Sequence, residues 1–162
     1  MLVTRHSAWR PLGHLWSWLF AAKVIAWLDI LGGSYGLFLY RGALLAWPFF
    51  GLSIMAGVLL LVGHREGVEA ALLVEGLQVI AFQVPRAGYQ FASGIQLYVY
   101  FTGAGAGLSV GLRSSLRLWP QGTATMFAVN LFSLVALPIL WRAMRDRDTR
   151  EAAAAQSKVA AA

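Results

Sequence analysis

Four apolar runs divide the chain, separated by polar or charged breaks. Trp16 to Tyr40 is broken by Lys23, Asp29 and the triplet Gly32-Gly33-Ser34. Ala43 to Val62 carries no charge, and its Pro48 falls in the first turns, where a missing backbone N–H costs little. Val68 to Val84 holds Glu69 and Glu75 and stops at Pro85. Ala124 to Trp141 is the last run, with Pro138 near its end. A helix needs about 20 apolar residues to cross a bilayer. The pattern therefore predicts transmembrane helices at about 16–40, 43–62, 68–84 and 124–141. Trp16 and Trp18 at one end of the first run, and Tyr35 and Tyr40 at the other, suit interfacial aromatic belts.

The intervening segment, 85–121, has a different texture. Ile95, Leu97, Val99 and Phe101 alternate with Gln96, Tyr98, Tyr100 and Thr102, and Leu108, Val110 and Leu112 alternate with Ser109, Gly111 and Arg113. A period of two with β-branched and aromatic residues predicts strands. The intervening Gly103-Ala104-Gly105-Ala106-Gly107 predicts a turn. Counting cations supports four helices over five. With four, eight basic residues (Arg5, Arg10, Arg65, Arg142, Arg145, Arg147, Arg150, Lys158) share one side and four (Arg41, Arg86, Arg113, Arg117) the other. With five, the split is five against seven, a weaker asymmetry than the positive-inside rule favours. The expected architecture is an all-α membrane protein: a four-helix transmembrane bundle with a short extracytoplasmic β-rich segment between helices 3 and 4. A basic lead, 1–14, and an alanine-rich tail, 142–162, would both be cytoplasmic, and a bacterial inner (plasma) membrane is the expected location.

Composition agrees with a lipid environment. The 162 residues are 59% hydrophobic and 12% charged, against about 25% charged in ordinary soluble domains. The net charge of +6 sits at the ends of apolar runs, which is anchoring rather than a nucleic-acid footprint. The chain has no cysteine, which excludes disulfides, thiolate metal sites and cysteine nucleophiles. Lys23 interrupts the first run, which continues past Tyr35 without a small-residue cleavage site, so a retained span is expected rather than a signal peptide.

Four polar groups fall within apolar runs: Lys23, Asp29, Glu75 and Asn130. Such groups face a bundle interior and find partners, because a charge at mid-bilayer costs roughly 2.5–3.5 kcal/mol. At about 1.5 Å per residue from the run boundaries, Lys23 lies about 12 Å deep, Asp29 about 21 Å, Glu75 about 10 Å and Asn130 about 16 Å. Similar depth predicts an ion pair between Lys23 and Glu75, with Asp29 and Asn130 more loosely matched nearer the middle. Such a pair fixes helix register; a proton or ion relay would need a continuous polar path.

Other motifs carry little chemistry. Gly107-Leu108-Ser109-Val110-Gly111 matches G-x-S-x-G, yet a nucleophile elbow needs a histidine downstream, and His6, His14 and His64 all precede Ser109. Gly103, Gly105 and Gly107 lack the third glycine of a dinucleotide loop. His64, Glu66 and Glu69 read as a solvated turn rather than a metal site. Gly32 and Gly36 form G-x-x-x-G, a spacing for close helix approach within one chain or between two. The expected function is a non-enzymatic accessory, scaffold or interaction subunit without a cofactor. Its expected partners are the lipid bilayer and a membrane protein or second copy, not nucleic acid. Tyr98, Tyr100 and Trp119 would supply a contact surface. The alternative is a small transporter or ion-conducting protein using Glu75, Asp29 and Lys23.

Overall fold

A computed structural model of the chain describes residues 12–118 and 124–160. Helix α1 runs Leu12–Leu39 and α2 runs Ala46–Val62, joined by a tight connection in which Ala43 N–H donates to Tyr40 O at 2.8 Å. Helix α2 stops at Gly63, whose φ of 81° is left-handed; its N–H bonds Leu60 O and His64 N–H bonds Leu59 O, the arrangement that satisfies end carbonyls. Helix α3, Arg65–Val79, passes directly into strand β1, Ile80–Val84. Strands β2 (Ala87–Ala92), β3 (Ile95–Thr102), β4 (Gly105–Leu112), β5 (Ser115–Leu118) and β6 (Met126–Asn130) follow. Helix α4 then runs Leu131–Ala160, with Pro138 inside it.

All strand pairs are antiparallel, in the order β4-β3-β6-β1-β2-β5. Strands β2 and β3 pair with β5 and β4 respectively, so the two halves form one long hairpin. It bends at Ser93-Gly94 and Arg113-Ser114, where Arg113 N–H donates to Gly94 O at 2.9 Å and Gly94 takes a φ of 92°. The β1–β6 pair sits between the hairpin's halves. Residues of both edge strands, Ser109 on β4 and Arg117 on β5, line one cavity, so the sheet is curved around it.

The main core lies where α1, α2, α3 and α4 meet β2. Phe91 of β2 is fully buried against Phe50 and Phe49 of α2, at ring-centroid distances of 5.6 and 5.3 Å, and Tyr40 stacks on Phe50 at 5.6 Å. Val74 of α3 and Leu140 of α4 complete this cluster.

These elements overturn the four-helix transmembrane bundle, and with it the multi-pass, all-α membrane assignment. Among the described residues only α1 contains a stretch, Phe20–Leu39, long and apolar enough to cross a bilayer; α2 is apolar but has 17 residues. The physical reason lies in the last two apolar runs. The run 68–84 is helix only to Val79, and Ile80–Val84 is a strand. The run 124–141 opens with strand β6, and α4 begins only at Leu131. Neither run is one helix, and both contribute central strands, so the β element is a six-stranded sheet rather than a short excursion. The segments before Leu12 and between Leu118 and Ala124, with most of the basic lead and Trp119, lie outside the described residues.

Candidate functional site

Two polar features occupy the junction of helices and sheet. The first is a buried layer. Asp29 on α1, Glu75 on α3 and Asn130 at the end of β6 are 1%, 3% and 0% exposed. Helix α4 explains Asn130: its Oδ1 accepts from Phe132 N–H at 3.2 Å, capping the first turn, and from Leu97 N–H on β3 at 3.1 Å. Its Nδ2 donates to Ser133 Oγ at 2.9 Å, and the Ser133 hydroxyl donates to the Glu75 carboxylate. Glu75 lies close enough to Asp29 for the two carboxyls to interact. One turn beyond Glu75, Gln78 Oε1 accepts from Ser93 N–H at 2.8 Å, which ties α3 to the bend of the long hairpin. Among the described residues Asp29 Oδ2, Glu75 Oε2, Gln78 Nε2 and Ser93 Oγ are buried with no hydrogen-bond partner.

Lys23 does not join this layer. Its side chain is exposed and lines a cavity of about 260 Å³ with Trp18, Asp146 and Arg147 at the other end of the helices. Buried Ile25, Ala26, Ala71 and Val74 lie along α1 and α3 in between. Thus the structure brings together Asp29, Glu75 and Asn130 of the four sequence candidates, and the expected Lys23–Glu75 pair is not formed. The depth estimate took every run as a full span, whereas α3 has 15 residues, Arg65–Val79, and passes into a strand. The glycines Gly32 and Gly36 both face inward, Gly32 against the Ser93-Gly94 bend and Gly36 against the Phe50 ring, so their close approaches are intramolecular. His64, Glu66 and Glu69 sit on the exposed start of α3, in ion pairs His64–Glu66 at 3.4 Å and Arg65–Glu69 at 3.3 Å.

The second feature is the concave face of the sheet. Strand register places Gln90 opposite Arg117, and the chain Ser109, Tyr98, Asn130 across β4, β3 and β6. Ala81 and Ala128 are paired at the floor, and their small side chains leave space above them. The resulting cavity, about 240 Å³, is lined also by Tyr100 and Arg113. Gly107 permits Tyr100 to lie flat over β4, since a Cβ there would sit within 2.3 Å of the ring. Tyr98 joins the two features. It is buried, lines the cavity, and its hydroxyl donates toward Gln78 O and Phe91 O at 3.5 and 3.4 Å. Burial pushes its phenol up to about 12; the nearby Tyr89 phenol adds to this and the Arg113 guanidinium opposes it.

Comparison with protein-family models, curated proteins and solved structures finds no match to this chain.

The cavity was not among the sequence candidates. In the sequence pattern Arg113 and Arg117 fall in the β-rich segment 85–121 and enter the charge count, and only strand pairing shows them sharing a cavity. One signal was countable: no acidic residue occurs between Glu75 and Asp146, so every strand lacks a carboxylate.

Proposed function

We propose that the protein is a non-enzymatic binding module anchored to a lipid bilayer through α1, presenting the curved sheet as its recognition face. The observation that carries this reading is a stripe along α1. Phe20, Val24, Trp27, Leu31, Tyr35 and Phe38 recur at three- and four-residue steps and are all between 42% and 69% exposed. That spacing puts six large apolar side chains on one outward face of a helix, and uncovered apolar surface of that extent marks a lipid or partner contact. Trp47, Met55, Val58 and Val62 of α2, and Leu134 and Val135 of α4, are exposed too. Beside one end of the stripe lie Trp18, Trp141, Arg142 and Arg145, which line one cavity; the Arg142 guanidinium sits 5.9 Å from the Trp18 ring centroid. Aromatic and cationic groups together suit the headgroup level. The non-enzymatic part rests on what the sheet offers: hydrogen-bond donors and cations on a rigid frame.

The test is membrane retention of the full chain after an alkaline wash, compared with a variant carrying Val24→Lys and Leu31→Lys. Both positions point outward, so the fold should survive, as circular dichroism would verify. Each lysine in an apolar layer costs roughly 2.5–3.5 kcal/mol, and release of the double variant is expected. Recovery of the wild-type chain as a monodisperse protein in detergent-free buffer would sink the anchoring.

A further inference from the structure

The curved face of the sheet carries a specific chemistry. Arg113 and Arg117 line the same cavity of about 240 Å³, with Gln90, Ser109 and Tyr100 around them. The strands contain no carboxylate, and among the described residues the ion pairs lie at the start of α3, away from the sheet. Two guanidiniums thus share one concave surface without a protein counter-charge. A guanidinium presents planar, paired donors that match the oxygens of a phosphate or carboxylate. The Gln90 amide and the hydroxyls of Ser109 and Tyr100 can add neutral donors at the same wall. Two cations match a dianion better than a monoanion. The cavity is smaller than the roughly 300–1,000 Å³ of drug-sized sites, so it suits one charged group with a short attached stem.

We propose that this cavity binds a phosphate group, on a small soluble phosphomonoester or on the headgroup of a phosphomonoester lipid, through Arg113 and Arg117. The inference deepens the reading of the sheet as the recognition face and rests on it; it does not require the α1 anchor. The buried layer beneath gives the site a rigid floor, because Tyr98 hydrogen-bonds the backbone at Gln78 and Phe91. Gly107 and Tyr100 set the wall beside Ser109.

The experiment uses the purified full chain and an Arg113→Gln, Arg117→Gln double variant. Both arginines are exposed, so the substitutions leave the core untouched. In one arm, calorimetry in mild detergent measures binding of glycerol 3-phosphate. In the other, flotation compares vesicles of phosphatidylcholine alone with phosphatidylcholine doped with phosphatidic acid. The wild-type chain should bind in at least one arm, with salt-sensitive affinity, and the double variant should lose about tenfold or more, as expected when charge-assisted hydrogen bonds are removed. Binding of glycerol 3-phosphate assigns a soluble ligand; an arginine-dependent gain on phosphatidic acid vesicles alone assigns a headgroup. Equal behaviour of wild type and double variant in both arms overturns the site. Retention on pure phosphatidylcholine reports only the apolar anchor, so loss of the anchor and loss of the cavity are read separately.

Discussion

Substituting alanine at two glycines of α2 tests how closely the first two helices approach. A Cβ at Gly57 would lie 2.4 Å from the backbone oxygen of Ala26 and 2.7 Å from Ile30 Cγ1 on α1. Heavy atoms in good contact sit about 3.5–4.0 Å apart, so α1 and α2 must separate by about 1 Å for the methyl to fit. The obstructing atom is the backbone carbonyl of fully buried Ala26, which has no rotamer by which to move. Gly51, on the same helix, has nothing within 4 Å of its would-be Cβ. Alanine gains about 1 kcal/mol over glycine within a helix, whereas overpacking costs roughly 1–3 kcal/mol. Gly51→Ala should therefore stabilise by about 0.5–1 kcal/mol, and Gly57→Ala should change stability by about 0–2 kcal/mol in the destabilising direction once its own propensity gain is counted. The propensity gain is common to both, so at about 2–4 °C per kcal/mol for a chain of this size the melting temperatures of the two variants should differ by roughly 2–12 °C. Thermal unfolding followed by far-ultraviolet circular dichroism in mild detergent measures the gap. If Gly57→Ala melts at or above Gly51→Ala, the close approach of α1 and α2 is wrong, because propensity alone would then account for both.

Other consequences follow from the polar groups. Asn130→Ala removes the cap of α4, worth about 1 kcal/mol, and strands the half-buried Leu97 N–H, which costs about 1–3 kcal/mol more. The same melt should fall by about 5–15 °C; a change within error would show that Asn130 caps nothing. Tyr98 should titrate near pH 12, seen as phenolate absorbance in the difference between wild type and Tyr98→Phe. Its folded pKa lies above the ordinary value of 10.0, so its contribution is complete below pH 10 and is lost as pH rises towards 12. A midpoint near 10 would contradict its burial.

Hydropathy and alternation reveal different parts of this fold. The charge-free run from Ala43 contains α2, and the alternation from Ile95 falls on β3, because in those places one periodicity runs from end to end. The runs 68–84 and 124–141 defeat hydropathy because a helix and a strand are joined there without a polar break. Mean apolarity does not record whether side chains follow a 3.6 or a 2.0 period. The shift is visible locally: Ile80, Phe82 and Val84 alternate with Ala81 and Gln83, and Phe127 and Val129 with Ala128 and Asn130. The apolar members of each set share one face, and the small members Ala81 and Ala128 on the other form the floor of the cavity. The same confusion misplaced the ionisable groups. Depth in a bilayer would match Lys23 with Glu75, but α1 and α3 are each seated on α2 by glycine contacts, Gly57 against Ala26 and Gly67 against Leu59, and the fold brings Glu75 near Asp29 instead. Arg113 and Arg117 show the limit of counting charges along a chain. Along the sequence they are two votes in a topology count. With Arg113 at the bend of the long hairpin and Arg117 on β5, and no acid from Gly76 to Arg145, they become two cations over one cavity. Position in the sheet, rather than distance from an apolar run, decides what they can bind.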